Sequence, residues 1–171
     1  MVAMIDYENL RKLLDYDPNT GIFTNKIKRG KVLPGSMAGS KHNAGYLTIR
    51  IHGKAYLSHR LAWLYMYGVW PEKTIDHING DKADNRIVNL REATNEENNR
   101  NKNAYTNNTS GFKGVYFYKH LGSWIGHVCV LDKRYSTASY KTAIEAAKAV
   151  AQLREDLHGK FANHGEILEE I

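Results

Sequence analysis

The chain has 171 residues, 42% of them hydrophobic and 25% charged, with a formal net charge of +6. That balance excludes a wholly disordered chain and allows one ordinary domain or two small ones, each with a modest core. The longest apolar run, LAWLYMYGVW, falls well short of the roughly 20 residues a bilayer span needs, and no basic start leads into an apolar block, so a cytoplasmic protein without a membrane partner is expected.

In chain order, MIDYENLRKLLDYD places Ile5, Leu10, Leu13 and Leu14 at helical spacing behind Asp6, a residue suited to cap a helix N-terminus. PNTG is turn chemistry, and GIFTNKIK and GYLTIRIHG alternate apolar and polar residues as half-buried strands do. KAYLSHRLAWLYMYG reads as a strand end entering a helix with Leu61, Leu64 and Tyr65 on its apolar face and Gly68 as its stop. Charge is uneven here. Residues 1–75 hold 11 Lys and Arg against 5 Asp and Glu, and no acidic residue lies between Pro18 and Pro71. Lys26, Lys28, Arg29, Arg50 and Arg60, interleaved with Tyr46, Tyr56 and His59, form either a footprint for a phosphate backbone or a solvated basic face.

The next stretch, TIDHINGDKADNRIVNLREATNEENNRN, is dense in polar groups. TIDHI and IVNLREAT are strand-like, and the turn formers of NGDKADNR between them predict a hairpin with a loop. Thr94 and Glu97 form a capping-box pattern that starts a helix at NEENNRNK, with Asn98 in its first turn. Asn is a poor helix former, so that helix must be held by packing or by something bound to it.

Eleven residues separate His77 from Asn89, and eight separate Asn89 from Asn98. This arrangement, in the context HRLAW…GVWPE…IDHINGDKADNRIVNLREAT, resembles the phage and homing branch of the HNH endonuclease family. The resemblance implies a ββα-metal motif in which His77 is the general base, Asn89 ties the loop together, and Asp76 and Asn98 bind one divalent metal; Asn89 is expected to hydrogen-bond backbone across the loop and so hold His77 in place. Many members carry a histidine where this chain has Asn98. The residue types also make chemical sense: an imidazole with an ordinary pKa of about 6.5 can take a proton from water near neutral pH. A carboxylate and an amide oxygen suit Mg²⁺ or Mn²⁺. Structural zinc held by pairs of CxxC is excluded, because Cys129 is the only cysteine and lies outside the motif. A plain capped turn and a calcium loop are the competing readings; the calcium loop fails because neither Asp76 nor Asn79 starts a run of oxygen ligands at alternate positions. Asp81, Asp84 and Asn85 either shape the loop or add a ligand. Arg86 and Arg91 either reach phosphate or pair with Asp84 or Glu92.

NKNAYTNNTSG has no apolar periodicity and reads as a linker. Beyond it, GVYFYKH, SWIGHVCVL and KRYSTASY are strand-like runs separated by turns at Gly122 and Asp132. Thr142 with Glu145 opens a helix whose stripe is Ala143, Ala146, Val150, Leu153 and Leu157. FKGV, GSW, YKTAIEAA and LHGKFAN resemble the DNA-binding domain of plant apetala/ethylene-response factors, which also occurs on phage HNH endonucleases. The resemblance implies a sheet face entering the major groove through Lys113, Tyr116, Tyr118, His127 and Arg134. Two contact arginines of the plant pattern are Tyr116 and Tyr118 here and a contact tryptophan is Ser136, so the plant target does not carry over. The two tyrosines either contact sugar and phosphate or are ordinary exposed sheet residues. Trp124 and Phe117 are assigned to the core.

The expectation is therefore an α+β protein. Residues 1–104 form a nuclease domain with its ββα-metal core at about 74–102, preceded by strands and a helix. Residues 105–171 form a three-stranded antiparallel sheet packed on one helix. The expected function is metal-dependent cleavage of double-stranded DNA by a monomer, most naturally as a nickase leaving 5′-phosphate and 3′-hydroxyl ends, with a dimer or two sequential events required for double-strand breaks. The competing function is a DNA-binding regulator with an inert nuclease half.

Overall fold

The structure, a computed structural model, describes residues 4–100, 108–131 and 133–165. Residues 101–107 of the expected linker and the turn residue Asp132 lie outside the described residues. The chain is a mixture of helices and small antiparallel sheets, and it divides into two compact units, Met1–Thr94 and Asn95–Ile171.

In the first unit, α1 (Tyr7–Leu13) begins where the Asp6 carboxylate accepts from the Asn9 amide, as an N-cap should. The helix stops one residue earlier than the apolar spacing predicts, because Leu14 is already extended and opens β1 (Leu14–Asp17). Leu14 and Tyr16 on β1 are both buried, so the strand continues the apolar surface of the helix with period two instead of 3.6. β1 pairs antiparallel with β2 (Ile22–Asn25), which pairs with the short β3 (Met37–Ala38). β4 (Ser40–Lys41), β5 (Leu47–Ile51) and β6 (Lys54–Leu57) form a second sheet with β5 in the middle. β6 runs directly into α2 (Ser58–Tyr67), which ends where Gly68 adopts a left-handed conformation and its N–H bonds back to Leu64.

The polar stretch forms a two-stranded ribbon, β7 (Thr74–His77) against β8 (Leu90–Ala93), in a register that pairs Asp76 with Arg91 and His77 with Leu90. Its second arm is shorter than the sequence predicts, since Ile87–Asn89 forms a single 3-10 turn before β8 begins. Leu10, Leu14, Phe23, Ile49, Ile51 and Leu61 are among the largest fully buried side chains of the unit, drawn from α1, both larger sheets and α2.

The second unit begins with α3 (Asn95–Arg100). Its sheet has β10 (Ser123–Val130) between β9 (Val115–Tyr118) and β11 (Lys133–Tyr140), all antiparallel. α4 (Ala143–His158) covers one face, and Thr142 and Glu145 close a capping box at its start. Gly126 makes that approach possible: a Cβ there would stand 2.5 Å from the Cβ of Val150. Trp124 packs against the core as expected, whereas Phe117, on the edge strand β9, is half exposed with its ring against Trp124. Arg154 of α4 is buried, its guanidinium donating to the Lys113 carbonyl at 2.8 Å.

Candidate active site

Asp76 and His77 end β7, and both are 4% exposed. Burying a carboxylate and an imidazole is costly unless each is matched by a partner. For Asp76 the partner is its cross-strand neighbour: the Arg91 guanidinium donates through Nε at 2.9 Å and lies within 2.8 Å through a terminal nitrogen, both on Oδ2. For His77, Nε2 lies 3.2 Å from Oδ1 of Asn85, a side chain with no exposed surface. His77 also meets the ring of His59 edge-on, with centroids 5.0 Å apart, and the ring of Tyr46 at 6.0 Å.

Burial lowers the His77 pKa, and the Asn85 hydrogen bond and the acidic groups Asp76, Asp81 and Asp84 offset this only in part. The imidazole is thereby kept neutral at lower pH than an ordinary histidine. His59 is more extreme. Burial, then His77, then Arg60 push it down to about 3, and its Nδ1 is buried with no hydrogen-bond partner among the described residues. His59 is a neutral ring in the wall beside His77.

Asn89 braces the loop between the strands. Its Nδ2 donates to the Asp84 carbonyl at 2.8 Å and to Oδ1 of Asn79 at 3.0 Å, while its Oδ1 accepts from the Asn79 amide at 3.0 Å. It does this from the 3-10 turn, whose Asn89 carbonyl also accepts from Ile78. The loop closes further through Asp84, whose carboxylate binds Arg86 in a bidentate pair and accepts from Asn79, holding that carboxyl down to about 2. Lys82 on the same loop donates to the Ala44 carbonyl at 3.1 Å and sits over the Tyr46 ring.

The contact to His77 thus comes from Asn85 and not from Asn89; Asn85 is read in the sequence only as a loop-shaping or ligand residue and His59 only as part of the basic stretch, neither as a neighbour of His77. Asn98 stands half-buried on α3, at the start of the second unit. Among the described residues, no group of three or more His, Cys, Asp and Glu side chains converges to hold a metal.

The nominated DNA contacts differ in how far they are engaged: Arg50 is exposed but donates to the Gly53 carbonyl, and Arg86 is exposed although ion-paired. Lys26, Lys28 and Arg134 are also exposed. Arg29 instead donates to the Asn25 side chain and the Arg50 carbonyl, and Arg60 to the carbonyls of Pro71 and Lys73. Arg86 and Arg91 are in ion pairs with Asp84 and Asp76. In the second unit, the Tyr118 hydroxyl lies 2.7 Å from Nε2 of His127, whose Nδ1 lies 2.9 Å from the Ser136 hydroxyl, so the three form a chain across β9, β10 and β11. Tyr116 stands beside them, 54% exposed. Lys113 precedes β9 and points its ammonium at the Asn163 carbonyl, 2.8 Å away; burial and Arg154 lower its pKa to about 8.

A buried Asp-His pair on a ribbon, beside a loop closed by asparagine side chains, is the setting of an HNH nuclease site, and residues 56–100 match the family described as HNH endonuclease. A match to that family over these residues suggests a metal-dependent nuclease domain with DNA as its substrate. The chain belongs to the same family as Protein 3.8 of Escherichia phage T7: the two are 34% identical over 110 residues, covering 64% of this chain and 90% of the relative. No solved structure matches it significantly. No helix among the described residues is long and apolar enough to cross a membrane.

Proposed function

We propose that the protein is a homing-type HNH endonuclease that nicks double-stranded DNA, with residues 1–104 as the nuclease domain and residues 105–171 as a module that holds DNA. The observation carrying this reading is the buried His77 beside Asp76 on β7, its imidazole kept neutral by burial and lodged within the matched HNH region. A neutral imidazole takes a proton from water while the water oxygen bonds to phosphorus; the bond from phosphorus to the 3′-oxygen breaks, and that oxygen leaves to be protonated by solvent. The products are a 5′-phosphate and a 3′-hydroxyl.

The donor chemistry fits a divalent metal of the Mg²⁺ or Mn²⁺ type. Asp76 is a hard anionic oxygen already held against a cation, and Asn98 offers a neutral amide oxygen on a helix of low intrinsic propensity. With so few protein ligands, waters and phosphate oxygens would complete the shell. Bound there, the cation would supply positive charge to the phosphate. Asn89 holds the shape of the loop that carries Asn79 to Asn85, as its three side-chain hydrogen bonds support.

For DNA binding, the exposed Lys26, Lys28 and Arg50 of the acid-free N-terminal stretch suit phosphate contact. Tyr116, Tyr118, His127 and Arg134 on the open face of the β9–β11 sheet suit a second contact, in the manner of an apetala/ethylene-response-factor domain. Two tethered contacts raise overall affinity without requiring either to be strong. A monomer with one such site cuts one strand per event.

The test is incubation of the purified protein with supercoiled plasmid and Mg²⁺ or Mn²⁺. Accumulation of open-circular before linear product supports nicking. Measurable binding with no nicked product on several DNAs would favour a regulator instead. Deleting residues 105–171 is expected to weaken and delocalise cutting; retained site preference would move specificity to the N-terminal half.

A further inference from the structure

Asn85 is among the most deeply buried polar side chains of the described protein, and loop shaping alone does not account for it. All of its polar contacts converge on keeping one oxygen aimed at His77. The amide nitrogen Nδ2 donates to the Ala83 carbonyl at 3.3 Å, which fixes which end of the amide is oxygen: turning it over would set Oδ1 against that carbonyl and the NH₂ group against His77. Oδ1 then faces His77 Nε2 at 3.2 Å and can only accept.

The backbone behind Asn85 is equally constrained. The Tyr16 hydroxyl donates to the Asn85 carbonyl at 2.7 Å, and burial raises the Tyr16 pKa, so the phenol stays a donor. Tyr16 is itself clamped by the rings of Phe23 and Tyr65. The β1–β2 turn lies directly on the Asn85–Arg86 peptide: Gly21 has φ +73°, and a Cβ there would stand 2.5 Å from the Asn85 carbonyl carbon and from the Arg86 nitrogen.

We propose that Asn85 is a positioning residue for His77, whose carboxamide oxygen holds the imidazole in the Nε2–H tautomer so that Nδ1 carries the lone pair that takes the proton from water. An acceptor fixed on one ring nitrogen places the hydrogen there and assigns basicity to the other. The assignment rests on the reading of His77 as general base. It gives Asn85 a task distinct from that of Asn89, whose bonds go to the loop and not to the imidazole.

Two measurements test it separately from that reading. In metal-free protein, ¹⁵N-labelled histidine spectra should show His77 with a protonated-type shift at Nε2 and a lone-pair-type shift at Nδ1. That preference should be lost in Asn85→Ala and kept in Asn85→Asp, whose side chain still accepts; an Nδ1–H tautomer in the unaltered protein overturns the assignment. Then a double-mutant cycle in plasmid nicking: Asn85→Ala should slow nicking about 10- to 100-fold with unchanged DNA affinity, and Asn85→Asp should recover part of the rate. In a His77→Ala background Asn85→Ala should cost nothing further. An equal loss in both backgrounds would make Asn85 merely structural and sink the proposal. If Asn85→Ala does not fold, Asn85→Asp and the spectrum of the unaltered protein still decide. Should His77→Ala itself leave nicking intact, the base assignment fails while the tautomer result stands.

Discussion

The two units treat a histidine in opposite ways. His77 in the first is buried, with one ring nitrogen on the oxygen of a fully buried amide. His127 in the second lies on an open sheet face, with both ring nitrogens on hydroxyls, Tyr118 and Ser136. Hydroxyls rotate and can donate or accept, so either tautomer of His127 is satisfied in place; an amide oxygen allows only one at His77. The same contrast holds more widely. Of the buried polar or charged side chains described, Asn25, Ser58, His59, Asp76, His77, Asn85 and Asn89 are in the first unit and Arg154 alone is in the second. Burying polar groups destabilises a fold unless their geometry is fixed by partners, which is also what a reaction centre requires. Buried polar groups are thus concentrated in the first unit, while the second displays its Tyr118, His127 and Ser136 chain on an open sheet face.

The largest expected effect breaks the comparison at its centre. His77→Ala should reduce nicking of supercoiled plasmid by about 10² to 10⁴ while leaving DNA binding in a gel shift near its original strength. Cleavage at an unaltered rate would remove His77 as the base.

Next comes acid. Burial lowers the pKa of His59 to about 3 and lowers that of His77, so folded protein binds fewer protons than unfolded chain at mildly acidic pH. Stability from these groups is therefore complete above the unfolded value of about 6.5 and declines as pH falls through the window toward about 3, by about 3 kcal/mol for His59 at pH 4. Hydrogen exchange of β5–β8 amides against pH should show the decline, and His59→Phe should flatten it without abolishing it, since His77 acts in the same direction. An identical slope in that variant would show that His59 is not the group being protonated. The second unit provides the control for steric change: Gly126→Val forces atoms into Val150 and should destabilise β9–β11 by about 2 kcal/mol, read as faster exchange in β10 but not in β7.

Much of this division is present in the sequence, and its gaps have physical causes. The HNH spacing, the caps at Asp6 and Thr142 and the stop at Gly68 are local signals, and the structure has the corresponding elements. Leu14 is ambiguous in sequence because the last turn of a helix and the first residue of a strand both bury it; only pairing with Asn25 decides. The short 3-10 turn at Ile87–Asn89 was hidden by residues that favour strands, and it is tertiary contact, Ile87 N–H to the Pro18 carbonyl, that holds the chain there. Asn85 could not be distinguished from its neighbours Asp81 and Asp84 by type or spacing, since what singles it out is the turn at Gly21 and the phenol of Tyr16, more than sixty residues away. His59 sits in an apolar helix where its ring looks like surface, and it reaches His77 only through the packing of α2. Phe117 is assigned to the core from sequence, but it lies on the edge strand β9 and is half exposed.

The smallest expected effect sharpens the comparison from the other side. Tyr118→Phe removes the hydroxyl at Nε2 of His127, but on a half-exposed face water can take its place, so unfolding stability should change by less than about 1 kcal/mol. The remaining Ser136 hydroxyl still serves Nδ1 whether that nitrogen donates or accepts, so the ring need not move. If the sheet is a contact surface, the loss should appear instead in DNA affinity, measured by gel shift at fixed salt, with no change in the rate at which bound plasmid is nicked. A stability loss above about 2 kcal/mol would mean that the Tyr118, His127 and Ser136 chain holds the three strands together in the way Asn85 holds His77. The distinction between a buried hydrogen bond that fixes one histidine and exposed ones that leave the other adaptable would then not hold.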